Sequence, residues 1–317
     1  SWPMRGTFRI SRGVRTETPT IVAEIEEAGE VGTAECVPYS RYGESHESVT
    51  AEIESVRAAI EGRLSRAALQ DALPAGAARN ALDCALWDLE AKQSGKRAWE
   101  VAGIEPPPPV TSAMTLSLDT PESMAEAARA AAHLPLLKLK VTGEGDLERV
   151  AAVRDGAPNS RLIVDANEGW RPEMLDSLLP ALVELGVEMV EQPLPAESDD
   201  ALLGREFAIP VCADEACHTR ADLDRLQGRY SMINVKLDKC GGLSEALALV
   251  REARARGFRV MVGCMVGSSL AMAPAMLLTP FADYVDLDGP LLLARDCEPG
   301  LRYDGTTVHP PEAGLWG

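Results

Sequence analysis

The chain is short of the residues on which several common kinds of site depend. Its 317 residues include four scattered histidines and seven cysteines, and no two cysteines form a C-x-x-C pair. An odd thiol count without paired spacing points to reduced cysteines in a cytoplasm rather than a disulfide framework. Cys212 and Cys217 flank Asp214, but no His/Cys group at zinc-ligand spacing accompanies them. The histidines read as structural or solvent-facing. Positive charge is also scarce, with 31 Lys and Arg against 49 Asp and Glu, a net charge of −18. That argues against a nucleic-acid partner, because such binding rests on cations neutralising phosphates. No apolar run approaches a membrane span, and the opening SWPMRGTFRI has no signal-peptide core, so neither a membrane nor an export route is expected. What remains is an ordinary globular composition, 46% hydrophobic and 25% charged, in a chain long enough for one barrel and a smaller domain.

Organisation changes along the chain. Residues 20–38 read as two strands joined by a glycine-containing turn, followed by the helical stretches HESVTAEIESVRAAIEG and AGAARNALDCALWDLEAKQSG, the latter closed by Gly95. Strands followed by helices describe an α+β unit. Four prolines, Pro106 to Pro109, cannot continue a helix or a central strand and mark its end. From residue 111 strand and helix alternate. Eight apolar runs end near Ser117, Lys140, Asp165, Glu191, Asp214, Lys236, Cys264 and Asp286, with intervals of 22 to 28 residues from Lys140 onward. One strand, one helix and two loops occupy about that length. Consecutive apolar positions (LIV, MINV, VMV) suit parallel strands buried on both faces. Thr120-Pro121 is a helix start, and LSEALALVREARARG is an amphipathic run closed by Gly257. The expected architecture is an α/β (β/α)7β modified TIM barrel with an N-terminal α+β capping domain. Its divisions are 1–108 for the cap, 109–289 for the barrel, and 290–317 for a tail returning to the cap.

The strand ends carry the chemistry. Lys138 and Lys140 in LLKLK share one face by the period of two, and inside a barrel two cations need compensation. Asp165 in LIVDAN, Glu191 in MVEQP and Asp214 in VCADE supply it from three adjacent strands. Three carboxylates form an all-oxygen site suited to one hard divalent cation such as Mg2+. Lys236 in INVKLD comes from the sixth strand, opposite the second. A metal-chelated carboxylate would present its α-carbon between Lys140 and Lys236, a geometry for proton removal and return. The metal and Lys138 would stabilise the enediolate. The base must be neutral, and neighbouring cations are expected to depress its pKa. Lys239 is expected to face outward.

In this order LKLK, VDAN, EQPLP, ADE, NVKLDKCGG and GCM resemble the muconate-lactonizing subgroup of the enolase superfamily. Asp286-Leu287-Asp288, with VPYSRYGESHESV, PAGAARNALDCALWDLEA and CADEACHTR, is similar to the dipeptide epimerases within it, over essentially the whole chain. The resemblance implies Mg2+ held by Asp165, Glu191 and Asp214, and Lys140 and Lys236 as the acid/base pair. It also implies Lys138 on the substrate carboxylate. Asp286 and Asp288 would receive the free ammonium of a small dipeptide, with Thr115 and Cys264 lining it. Arg12 falls where a loop arginine reads the side-chain carboxylate of a C-terminal Glu, with Arg15 as its competitor. The implied reaction is epimerisation of L-Ala-D-Glu and L-Ala-L-Glu, as in recycling of murein (peptidoglycan) peptides. Epimerases of other dipeptides are alternatives, as are o-succinylbenzoate synthase and N-succinylamino acid racemase on the same machinery. The last two lack the ammonium that Asp286 and Asp288 imply. A Schiff-base aldolase leaves the three carboxylates unexplained, and a chain that has lost catalysis would not keep a competent residue at every position. Some relatives have Glu where this chain has Gly267, which bears on substrate preference.

Overall fold

The apolar runs that end in charge fold as the parallel strands of one sheet. Our computed structural model describes residues 1–10 and 13–317, with the backbone alone at 7, 8, 10, 14 and 15. The strands are Met114–Leu116, Leu136–Lys140, Arg161–Asp165, Val187–Glu191, Val211–Ala213, Met232–Val235, Arg259–Gly263 and Tyr284–Asp286, each paired in parallel with its sequence neighbour. The Ala113 amide donates to the Val285 carbonyl at 2.8 Å and the Leu287 amide to Ser112 Oγ at 2.8 Å, drawing the eighth strand to the first. The result is a nearly closed barrel. Its floor takes one residue from each strand or its lead-in: Ala113, Leu136, Ile163, Met189, Cys212, Met232, Met261 and Tyr284. Because side chains alternate, filling the floor this way puts the charged residues at the opposite, C-terminal mouth.

The crossovers are less regular than the spacing suggests. Pro121–Ala131, Asp146–Gly156, Leu175–Glu184 and Leu243–Ala255 are α-helices, the first capped by Thr120 Oγ1 accepting from the Ser123 amide at 3.3 Å. The segment after Glu191 holds instead two 3-10 turns, Ala196–Ser198 and Asp200–Leu202. Pro193, Pro195, Gly204 and Pro210 lie along it, and such spacing leaves no room for a helical hydrogen-bond ladder.

The α+β unit has more strand than expected. Trp2–Ile10 pairs with Gly13–Thr18, ahead of the hairpin Ile21–Glu27 and Glu30–Cys36 with its Ala28-Gly29 turn at positive φ. Helix Ala77–Ser94 ends in Gly95 and is buried along most of its length between this second hairpin and the barrel. A Cβ on Gly32 would lie 2.1 Å from the Ala85 carbonyl, so only glycine lets strand and helix approach. On the other side Arg79 donates to the carbonyls of Cys240 (2.6 Å) and Gly241 (3.1 Å), and Asn80 donates to Asp238 at 2.8 Å. The tail strands Tyr303–Asp304 and Thr307–Val308 pair onto Val110–Thr111. Beyond them Trp316 Nε1 donates to the Cys84 carbonyl at 3.1 Å and the Gly317 amide to Asp88 at 2.7 Å, both on helix Ala77–Ser94. Among the described residues no helix is long and apolar enough to cross a membrane.

Candidate active site at the barrel mouth

Lys138 and Lys140 come up side by side from the second strand, both buried. Lys138 Nζ lies 2.7 Å from Glu191 Oε2, 2.8 Å from Asp286 Oδ2 and 3.2 Å from Asp165 Oδ2. Lys140 Nζ donates to Asp165 Oδ2 at 2.6 Å, and Lys236 Nζ to Asp214 Oδ2 at 2.6 Å. Burying these charges is tolerable only because they compensate one another; removing one partner of such a pair typically costs about 3–5 kcal/mol.

Each of the three carboxylates has a second donor behind it. Asp165 Oδ1 accepts from the Asn167 amide at 2.9 Å, Glu191 Oε1 from Asn234 Nδ2 at 2.7 Å, and Asp214 Oδ1 from Lys239 Nζ at 2.6 Å. One oxygen is thus tied to the scaffold and the other faces the lysines. Gly263 makes room for Asn234, since a Cβ there would sit 2.5 Å from its Oδ1. Gln192 links two strand ends: its Oε1 accepts from the amides of Asp214 (2.9 Å) and Ala216 (3.0 Å). All of these supports lie within quoted motifs (VDAN, EQPLP, NVKLDKCGG), but none was read from the sequence as a support.

Lys239 corrects the expectation that it faces outward. It is 1% exposed and also donates to the carbonyls of Asp214 and Asn234. The sixth strand stops at Val235 and residues 237–240 wind into one helical turn. Three residues along a helix return to the same side, so Lys239 joins Lys236 on Asp214.

Electrostatics divide the carboxylates. Burial opposes ionisation of Asp165, but Lys140 and Lys138 outweigh it and hold the group well below the usual range. Asp214 is lowered likewise, burial being overcome by Lys236 and Lys239. Glu191 is pushed up to about 7, first by burial and then by Asp165, with Lys138 offsetting only part. Burial works against the Lys236 ammonium, yet Asp214 and Glu191 raise its pKa. The expected depression of the base lysine therefore fails for Lys236, because the carboxylates outweigh the nearby cations. Among the described residues no three acidic, His or Cys groups converge on one point at metal-ligand distance, the lysines taking the counter-charge.

At the other end Asp288 Oδ2 accepts from the Thr115 amide at 2.7 Å. Its carboxyl is pushed up to about 7 by burial and then by neighbouring Asp286. Thr115, Cys264, Lys138, Lys140, Lys236, Asp214, Asp286 and Asp288 all line one cavity of about 440 Å3, roofed by Met4, Thr18 and residues 39–42 of the α+β unit. Asp165 and Glu191 lie behind the lysines. Gly267 does not line the cavity; it packs against Glu35, Ala271 and Val37. Arg12 lies outside the described residues, as does the side chain of Arg15.

Residues 1–103 match the mandelate racemase / muconate lactonizing enzyme N-terminal domain, and residues 122–315 the enolase C-terminal domain-like family. The chain is 50% identical to the L-Ala-D/L-Glu epimerase of Escherichia coli K12, over 98% of this chain and 97% of that one. It is 47% identical to an N-acetyl-D-glutamate racemase of Pseudoalteromonas, over 94% and 95%. A crystal structure of an enolase family member from Agrobacterium tumefaciens with homology to dipeptide epimerases, holding sodium and L-Ala-L-Glu, superposes with a TM-score of 0.97. That pair shares 48% identity, covering 100% of this chain and 97% of the other. By sequence over nearly its full length and by the barrel with its α+β cap, the chain belongs to the enolase superfamily and is an isomerase of the epimerase kind.

Proposed function

We propose that this protein epimerises the C-terminal residue of L-Ala-D-Glu and L-Ala-L-Glu by two-base proton transfer, with one Mg2+ per site, in the cytoplasmic recycling of peptidoglycan peptides. The observation that carries the reading is the arrangement around one cavity. Lys140 and Lys236 rise from the second and sixth of eight strands, and Asp286 with Asp288 stands at the eighth. A dipeptide whose α-carbon lies between the two lysines can lose its proton to one and regain a proton from the other on the opposite face. Lys138 would steady the substrate carboxylate. The free ammonium, a cation, suits the carboxylate pair at the eighth strand.

Asp165, Glu191 and Asp214 would hold the metal. Their inward oxygens are hard donors, and burial with neighbouring Asp165 opposes the Glu191 carboxylate more than Lys138 offsets, a penalty that a divalent cation would relieve. When bound, Mg2+ supplies Lewis-acid stabilisation of the developing enediolate. The relatives support the substrate class, since the Agrobacterium structure binds L-Ala-L-Glu and a dipeptide epimerase from Enterococcus faecalis binds Mg and L-Leu-L-Tyr. We also propose the division into a cap (1–108), a barrel (109–289) and a returning tail (290–317), supported by the tail's bonds to helix Ala77–Ser94.

A second reading follows from the Pseudoalteromonas racemase: the same lysines acting on N-acetyl-glutamate, which has no ammonium. Proton NMR in D2O with Mg2+ tests both. Loss of the Glu α-proton signal of L-Ala-L-Glu, with appearance of its diastereomer, supports the dipeptide reading. Exchange of N-acetyl-glutamate without either dipeptide replaces it.

A further inference from the structure

Glu35 is a buried carboxylate that the proton transfer does not use. It lies near the end of strand Glu30–Cys36, is 2% exposed and accepts three hydrogen bonds. Its Oε1 accepts from the Ser268 amide at 2.8 Å, and its Oε2 from Ser268 Oγ at 2.8 Å and from Trp2 Nε1 at 3.1 Å. Trp2 is the register partner of Thr18, and Thr18 Oγ1 donates to the Val266 carbonyl at 2.9 Å. Trp2, Thr18, Val266, Ser268 and Glu35 therefore close a polar ring across two walls of the cavity. Burial raises the Glu35 carboxyl while its donors pull the other way.

The ring positions what it joins. The N-terminal hairpin contributes Met4 and Thr18 to the cavity, and the loop after the seventh strand contributes Cys264, Met265 and Val266. That loop stands beside the ammonium-binding pair, for the Cys264 thiol is raised by burial and then by the charges of Asp286 and Asp288. Gly267 is squeezed into the ring: a Cβ there would meet Glu35 Oε1 at 3.0 Å and Ala271 Cβ at 3.1 Å. A side chain at 267 and a carboxylate at 35 therefore compete for one space.

We propose that Glu35 is a positioning residue that, through Ser268, Trp2 and Thr18, sets the width of the subsite for the side chain of the substrate's amino-terminal residue. The inference rests on the dipeptide reading and deepens it. Met4, Met265 and Val266 give that subsite an apolar wall, and the ring keeps its two sides from parting, so it selects a small apolar side chain.

The test compares kcat and KM for L-Ala-L-Glu and L-Leu-L-Glu in the Mg2+-loaded enzyme, in the wild type and in Glu35→Gln, which turns one acceptor into a donor facing donors. Glu35→Gln should narrow the preference for Ala over Leu about tenfold, through KM, with kcat on L-Ala-L-Glu changed by less than about threefold. Trp2→Phe, which removes one donor, should move the ratio the same way by about threefold. Equal losses on both substrates, a loss confined to kcat, or an unmoved ratio would overturn the proposal. Should Glu35→Gln fail to fold, Trp2→Phe and the crowding variant Gly267→Ala decide by the same ratio. A wild type that exchanges neither dipeptide overturns the dipeptide reading itself. A working wild type whose variants keep its ratio overturns the role of Glu35 alone.

Discussion

The carboxylates of the third to fifth strands and those of the eighth meet at one barrel mouth but are held differently. Asp165, Glu191 and Asp214 each have a scaffold donor on one oxygen and an ammonium near the other. Among the described residues Asp286 accepts from Lys138 and has no partner on Oδ1, while Asp288 accepts from the amide and hydroxyl of Thr115. The first group is fixed in position, with Glu191 alone incompletely compensated. The second carries more negative charge than its surroundings balance, and so favours a positively charged visitor.

Four experiments put that contrast to the test. The largest effect belongs to the lysines: Lys140→Ala or Lys236→Ala should lower epimerisation by about 10³-fold or more, and near-normal turnover in either would sink the two-base scheme. Next comes the scaffold. Asn234→Leu takes the donor from Glu191 Oε1 and should weaken Mg2+ binding about 10- to 100-fold in titration calorimetry; unchanged affinity would mean that the Glu191 contact is incidental. At the eighth strand Asp288→Asn should raise the dipeptide KM about tenfold and affect kcat less, because it is remote from the reacting carbon. The smallest effect is in pH. Asp288, facing Asp286, Lys138, Cys264 and Tyr303, ionises near 7. KM for the dipeptide should therefore fall a few-fold between pH 6 and 8, and Asp288→Asn should flatten the profile. The sign for stability is opposite. The folded chain holds the Asp288 proton between about 4 and 7 where the unfolded chain has lost it, so this group's contribution declines as pH rises through that window.

Much of this site was legible because parallel strands end where their apolar runs end. Lys140, Asp165, Glu191 and Asp286 are the last residues of their strands, and Asp214 and Lys236 follow theirs immediately. Lys239 was misread because strand periodicity was carried past Val235 into a helical turn. Asn234 and Gln192 were missed because each sits within two residues of a charged residue whose role was plainer, and a hydrogen bond between strands leaves no mark in spacing. The hairpin Trp2–Thr18 went unread for a different reason. Its strands mix Arg, Glu and Thr among few apolar positions, so alternation is weak until the barrel provides a surface for it. The crossover after Glu191 was expected as a helix on average spacing alone, which its prolines override.

The backbone behind two of the carboxylates has a consequence for engineering. Asn167 (φ 44°) and Glu168 (φ 66°) follow Asp165, and Gln192 (φ 35°) follows Glu191, all in the left-handed region that side chains disfavour. Each gives up about 1–3 kcal/mol of folding stability. Glycine would relieve that strain, but at Gln192 it would delete the amide that joins the fourth and fifth strand ends and leave the buried Asp214 and Ala216 amides without their acceptor. At Glu168 it would remove the carboxylate that Arg41 and the Ala196 amide bond. The strain is therefore retained by the same bonds that fix the carboxylates. Libraries screened by melting temperature should keep Gln192 and Glu168 even where activity is not selected.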